Sequence, residues 1–287
     1  MTTLVDKGVA ALAEAHPCYT ETARLRHGRL HLPVAPSCDL GCRYCERVIG
    51  AKAGLAAGPG TAARVLTPAE AVARVDEVQA KGWLRVVGIA GPGEPLANPA
   101  TLTTLRLLQQ AHSDIILCLS TNGLRLEAAL PELLAAGLRS LTVTINTTRP
   151  ETAAQLYDWA VIEGDRIVGP AAAAEVLSRQ WSGLAAAVSA GLLVKVNSVL
   201  IPGLTDADLE SVARRAAAIG AQRHNITPLI PRGRMRDRRA PTPDELEQGR
   251  NQCERWLPQF RACTQCRADA IVPPLEAKGH VPCGTCG

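Results

Sequence analysis

Cys38, Cys42 and Cys45 stand in a C-x3-C-x2-C spacing, Cys38-Asp39-Leu40-Gly41-Cys42-Arg43-Tyr44-Cys45, directly after an apolar run at Leu30–Ala35 that reads as a strand. Three thiolates on one compact loop can hold three irons of a [4Fe–4S] cube and leave the fourth open. An open coordination position marks a catalytic metal centre, whereas zinc usually asks for four ligands or a different spacing. Cys263/Cys266 and Cys283/Cys286 form two further tight groups, while Cys18, Cys118 and Cys253 stand alone. Ten cysteines in 287 residues are far below the roughly 8–10% of a disulfide scaffold. Met1–Ala15 shows no basic stretch followed by a long apolar one, so no signal peptide is expected. The expected compartment is the reducing cytoplasm, where clustered cysteines bind metal or do chemistry.

The elements that must position this loop alternate along the chain. Strands are expected at Leu30–Ala35, Leu84–Ala90, Ile115–Leu119, Leu141–Ile145, Leu193–Leu200 and Arg223–Thr227. Helices are expected between them at about 68–80, 99–111, 127–136, 183–190 and 205–219, with a late one near 244–257. Thr67-Pro68-Ala69-Glu70 and Thr242-Pro243-Asp244-Glu245 are capping boxes with Pro at the first helical position. Gly82, Gly137, Gly191 and Gly220 sit where helices should stop. Strand-then-helix units in series imply an α/β fold with a parallel sheet. Six units fall short of a closed eight-stranded barrel, so a partial (β/α)6 barrel is expected, its site at the C-terminal strand ends. Asn146–Trp181 is too long for a simple connection and reads as a helical excursion over that mouth. The expected organisation is an N-terminal segment over the mouth (1–29), the barrel (30–240), and a helix with a Cys-rich tail (241–287).

Composition removes several function classes. A net charge of +4 and 3% aromatic residues give neither the field nor the stacking platform of a nucleic-acid binder. No apolar run approaches the roughly 18 residues of a membrane span.

The cysteine loop and its strand resemble the radical S-adenosylmethionine (SAM) superfamily. The resemblance implies that the open iron chelates SAM and that one electron cleaves it to a 5′-deoxyadenosyl radical, with Tyr44 near the adenine. Gly91-Pro92-Gly93-Glu94, after the second strand, looks like the family's glycine-rich motif for the methionine amino group. Its glycines let backbone approach a ligand, and Glu94 can accept from an ammonium. Thr121 and Asn122 in Ser120-Thr121-Asn122-Gly123, and Asn197 in the fifth strand, look like ribose or carboxylate contacts, although Asn-Gly is also an ordinary turn former.

A narrower resemblance runs from about residue 16 to 272. His16-Pro17-Cys18, Leu117-Cys118-Leu119-Ser120-Thr121-Asn122-Gly123-Leu124 and Cys263-Thr264-Gln265-Cys266-Arg267-Ala268-Asp269-Ala270 resemble the NifB family of nitrogenase cofactor biosynthesis, in its short form without a NifX-like domain. The resemblance implies fusion of two further [4Fe–4S] clusters with insertion of a SAM-derived carbide. It also implies as partners an iron–sulfur cluster donor, a reductant and a cofactor carrier or scaffold. Cys18 and Cys118, with His16 as a third candidate, would hold one substrate cluster, and Cys263 and Cys266 another. Cys118 alone reads equally as a small buried hydrophobe, and His16 as a core histidine.

Two features depart from that pattern. The cysteine expected some six residues after Cys45 is absent, and of the Asn-Glu-Ser-Arg-Pro-Gly run only Pro59-Gly60 survives. The alternatives are a diverged radical SAM enzyme acting on a peptide or small molecule with an auxiliary cluster, or a non-catalytic iron–sulfur scaffold. Cys283 and Cys286 extend Cys263/Cys266 to C-x2-C-x16-C-x2-C. That is a zinc-ribbon spacing, or a source of the missing cluster ligand. Arg232–Arg239 holds five arginines in eight residues. It reads as a solvated loop, or as a docking site for an acidic partner. Cys253, Tyr157 and Trp159 read as packing residues.

Overall fold

The computed structural model describes residues 4–52 and 58–278; Cys283 and Cys286 lie outside the described residues. Six parallel strands, β1 (Gly28–His31), β2 (Leu84–Ile89), β3 (Ile116–Thr121), β4 (Leu138–Thr144), β5 (Leu193–Leu200) and β6 (Arg223–Pro228), pair in sequence order. A short strand β7 (Ile271–Val272) adds antiparallel to β1 at the edge. Each strand adds beside its predecessor, and helices between them cover the outer face, so the architecture is the expected partial barrel.

Period-two alternation splits each strand between two environments. Leu117, Leu119, Leu141, Val143, Val194 and Val196 are fully buried in the core. They pack with helix residues such as Leu105, Leu108, Leu133, Leu184 and Val212. Each such side chain contributes roughly 1.5–3 kcal/mol. The alternate residues, Cys118, Ser120, Thr142, Thr144, Lys195 and Asn197, line an inner cavity. Hydrophobicity therefore holds the wall up and leaves the lumen to chemistry.

The helices follow their start signals. Pro68–Gln79 and Pro243–Glu254 begin with the capping boxes of Thr67/Glu70 and Thr242/Glu245. Gly220 ends Leu209–Ile219 at φ 101°, a left-handed conformation that suits glycine. Three expectations shift. The first strand is Gly28–His31; Leu32–Ser37 runs on as an extended connection, because Pro33 and Pro36 cannot donate to a ladder. The helix expected at 183–190 spans Gly169–Ser189, with the good helix formers Ala171–Ala174 in its first turns.

The third concerns the excursion. It holds one short helix, Pro150–Leu156, and then an antiparallel hairpin, Tyr157–Ile162 with Asp165–Val168. Glu163 and Gly164 turn it with φ of 53° and 97°, both positive as a type I′ turn requires.

The N-terminal segment packs at the opposite end from the expected one. The Tyr19 hydroxyl donates to the carbonyl of Leu193, the first residue of β5, and His16 stacks edge-on against the Tyr19 ring. The segment thus closes the N-terminal strand ends, the floor of the barrel. Pro258–Phe260 closes the same end: the His224 N–H donates to the Pro258 carbonyl, and the Phe260 N–H to that of His224.

Candidate active site

One cavity of about 850 Å³ runs from the C-terminal strand ends to the floor and is lined by Cys18, Cys38, Cys42, Cys45, Cys118, Cys263 and Cys266. All seven are free thiols.

At the mouth, the loop after β1 is held from both sides. Leu40–Cys42 pairs with the hairpin strand Tyr157–Ile162, Leu40 opposite Ala160 and Cys42 opposite Tyr157. The Val161 N–H donates to the Asp39 carbonyl at 2.7 Å. A Cβ on Gly41 would lie 2.4 Å from the Trp159 indole nitrogen, so only glycine fits beneath that ring. Tyr157 and Trp159 are thus packing residues, and what they pack is the cysteine loop. On the other side, the Gly93 N–H donates to the Ala35 carbonyl and the Glu94 N–H to that of Ser37. A Cβ on Gly93 would stand 2.2 Å from the Ser37 carbonyl oxygen. Burial pushes the Cys38 thiol up to about 11, against the Arg47 charge, and pushes Cys42 well above the usual range. A metal must therefore displace their protons on binding.

The residues expected to touch SAM converge on this mouth, yet several of their side chains bind one another. Glu94 is 5% exposed. Its carboxylate accepts from the Thr121 hydroxyl at 2.6 Å, the Asn122 N–H at 2.7 Å and the Leu96 N–H at 3.0 Å. Asn122 donates to buried Asp39 at 2.8 Å and accepts from the Leu124 N–H, and Arg125 closes on Asp39 at 2.8 Å. Glu94, Thr121 and Asn122 are thus a bracket that ties the loops after β2 and β3 to the cysteine loop, which leaves the Gly91–Gly93 backbone to face a ligand. Asn197 is different. Its side-chain oxygen accepts from Asn225 at 2.9 Å, and it lines the cavity. Asn225 was not foreseen; it is fully buried, and its own side-chain oxygen has no partner among the described residues. The Tyr44 hydroxyl accepts from Asn146 at 2.9 Å, which fixes its ring on the cavity wall.

Deeper down, Cys118 is the third of six residues in β3 and level with Ser140, the third of seven in β4, and so lies below Thr121 at the mouth. Cys18, His16 and His31 line the same cavity, His31 level with Gly88 in the sheet and His16 beside Cys118. The two imidazoles differ. His16 Nδ1 accepts the Cys18 N–H at 3.1 Å, and its imidazole is also within hydrogen-bond reach of the Cys118 thiol. His31 Nδ1 donates to the Arg267 carbonyl at 3.0 Å, which leaves the Nε2 lone pair free. Burial, with the Arg29 charge, pulls His31 down to about 4. A neutral imidazole pinned by a carbonyl is what a metal ligand needs. His31 therefore joins His16, Cys18 and Cys118 as a candidate donor in this part of the cavity. Sequence reasoning missed it, although its signal was present: a histidine on a strand whose alternate residues face the lumen.

Cys263 and Cys266 reach the same cavity on the segment before β7. The Arg29 guanidinium donates to the Cys266 sulfur at 3.0 Å. Cys253 is fully buried on Pro243–Glu254, as a packing residue should be. The arginine loop lies against the mouth: a Cβ on Gly233 would stand 2.6 Å from the Cys45 carbonyl oxygen, and Arg43 and Arg234 share Asp158 at 2.7 Å each. Among the described residues no helix is long and apolar enough to cross a membrane.

The comparisons with known proteins give the family and the fold. The radical SAM superfamily model matches residues 32–216. A relative from Klebsiella pneumoniae, named FeMo cofactor biosynthesis protein NifB, is 45% identical over 271 residues, which cover 92% of this chain and 58% of the relative. A relative of the same name from Methanocaldococcus infernus is 36% identical over 261 residues, covering 91% of this chain and 86% of its own length. Among solved structures, a radical SAM methyltransferase from Sphaerobacter thermophilus is similar in fold, with a TM-score of 0.54 at 20% identity over 81% of this chain and 64% of that one.

Proposed function

The chain belongs to the radical SAM superfamily and, within it, to the NifB family, and from that premise we propose that it fuses two [4Fe–4S] substrate clusters around a SAM-derived carbon to form a nitrogenase cofactor precursor. As a radical SAM enzyme it uses a [4Fe–4S] cluster and SAM. The donor set suits them: three free thiols lie on one braced loop, beside a glycine backbone with no room for a side chain. When bound at Cys38, Cys42 and Cys45, the cluster supplies the electron that cleaves SAM.

The chain's own residues do the rest. The bracket of Asp39, Glu94, Thr121 and Asn122 holds the cysteine loop at a fixed distance from the Gly91–Gly93 backbone. Asn197, with Asn225 behind it, offers amide groups to SAM from the facing wall. Tyr44 forms one side of the adenine pocket. Cys18, Cys118 and His31 hold one substrate cluster at the floor, and Cys263 and Cys266 hold another on the adjoining wall. Few ligands per cluster suit a guest that must leave as product.

The observation that carries this reading is the single continuous cavity: the thiols of the mouth and those of the floor open into one space. An organic substrate would not need cysteines and an imidazole opposite SAM. The basic rim beside Cys45, from Arg43 and Arg47 to Arg234, suits docking of an acidic reductant, cluster donor or product carrier.

The test is anaerobic reconstitution with an iron and zinc count, followed by SAM cleavage under reductant. About twelve irons per chain and no zinc correspond to three clusters, and methyl-labelled SAM should leave label in an acid-extractable iron–sulfur product. About four irons with one zinc, or SAM cleavage that depends on an added organic substrate, would overturn the reading.

A further inference from the structure

Lys195 is the outstanding side chain of the lumen. It sits on β5 and is only 6% exposed. β-sheet register sets it level with Thr142 of β4 and Arg223 of β6, and Thr142 in turn with Ser120 of β3. It therefore occupies the layer directly above Cys118, which is level with Ser140, and directly below Asn197, which is level with Thr144. Its ammonium lies 5.5 Å from the Tyr19 ring centroid and 5.4 Å from that of Phe260, the two aromatics that close the floor. No carboxylate or carbonyl accepts from it among the described residues.

A buried ammonium without an acceptor is costly, and two ring faces offset only part of that cost. The lining carboxylates do not help, because Glu46, Glu94 and Asp158 all stand at the mouth. The other buried cation of this region, Arg29, is also incompletely used: its Nε has no partner among the described residues. Among the described residues the floor thus carries two buried positive charges and no carboxylate, in a cavity lined by thiols and imidazoles.

We infer that Lys195 is a positioning residue whose ammonium, lying against the floor aromatics, holds an anionic iron–sulfur substrate at the Cys18/Cys118/His31 floor. This rests on the proposed function and deepens it. A cluster with thiolate ligands bears net negative charge, and its sulfides accept hydrogen bonds from cations. The ammonium reaches down to the floor aromatics, so its N–H groups meet the cluster from the side away from SAM. It fixes which face is presented, and its charge favours the reduced, more negative state.

The experiment compares wild type, Lys195→Met, Lys195→Gln and Lys195→Arg, reconstituted anaerobically from ferrous iron and sulfide. Iron content, SAM-dependent changes in the EPR of the reduced clusters, and potentiometric titration are the readouts. Both neutral variants should keep the SAM-responsive cluster of Cys38/Cys42/Cys45. They should lose half or more of the floor cluster, and what remains should titrate at a more negative potential. Lys195→Arg should restore occupancy. A folded Met or Gln variant that holds the floor cluster at wild-type occupancy and potential overturns the assignment. Lys195→Gln keeps the test available if Lys195→Met does not fold. Wild type that takes up only about four irons overturns the cluster-substrate reading itself, a failure distinguishable because it appears without any substitution.

Discussion

The mouth and the floor of this barrel hold cysteines in opposite ways. At the mouth, almost every polar group is already spoken for: Glu94 accepts three hydrogen bonds, Asp39 is closed by Asn122 and Arg125, and a hairpin strand pins the loop. At the floor, groups are buried and left open: the His31 Nε2 lone pair, Arg29 Nε, the Lys195 ammonium. The mouth is also where the lining carboxylates are, and the floor is where, among the described residues, buried cations lack a carboxylate partner. A satisfied network makes a rigid, permanent site. A set of buried donors without acceptors is finished only by an anionic guest. The difference separates a resident cofactor from a substrate that comes and goes.

The largest effects should divide along that line. Cys42→Ala should reduce SAM cleavage to background, because two remaining thiolates poorly hold a cube with one open iron. Cys118→Ala should leave cleavage intact while the fused product disappears and about four irons per chain are lost. High-performance liquid chromatography of 5′-deoxyadenosine and an iron assay read both. A fused product from Cys118→Ala would break the comparison at the floor, and full cleavage by Cys42→Ala would break it at the mouth.

Acid titration of the metal-free chain should show two opposing slopes. His224 clips the floor-closing segment through its backbone and is pulled down to about 3 by burial. Its folded pKa is depressed, so its contribution is present above the unfolded value of about 6.5 and is lost as pH falls toward 3. The full span is on the order of 4 kcal/mol. Glu94 at the mouth behaves oppositely: burial, against the Thr121 hydrogen bond, raises it to about 7. Its contribution is present below the unfolded value and is lost as pH rises through about 7, a smaller span on the order of 3 kcal/mol. Urea unfolding from pH 4.5 to 8 should therefore become flatter on the acid side in His224→Gln and flatter near neutrality in Glu94→Gln. Parallel profiles in all three proteins would show that neither group is the source.

The parts of this arrangement visible in the sequence are those that local chemistry dictates. The three-cysteine spacing, the alternation of the strands and the two capping boxes each depend on residues within a few positions. What stayed hidden depends on distant partners. His16 and His31 are indistinguishable as letters; the carbonyl that fixes His31 belongs to Arg267, 236 residues away. Glu94 reads as an ammonium acceptor until Thr121 and Asn122 arrive from the next strand to occupy it. The hairpin turns at Glu163-Gly164, where a glutamate takes the positive φ that Asn or Asp would have advertised. The strand pattern also says nothing about which end of the barrel an N-terminal segment will close.

The smallest effect tests where the braced region stops. Asp158 on the hairpin is shared by Arg43 and Arg234, each at 2.7 Å. Arg234 is 70% exposed, so its half of the pair is screened by solvent. Arg234→Ala should cost about 0–1 kcal/mol, because Arg43 still holds the carboxylate, and SAM binding should be unchanged. Arg125→Ala makes the contrast: it uncovers Asp39, whose carboxylate is 2% exposed and would keep only the Asn122 amide. Leaving a buried acceptor short costs about 1–3 kcal/mol, and the loss should appear as weaker SAM affinity by isothermal titration. If the two substitutions proved equal, the rim would belong to the bracket, and the basic loop beside Cys45 would be structural support for the mouth instead of a surface free to meet a partner.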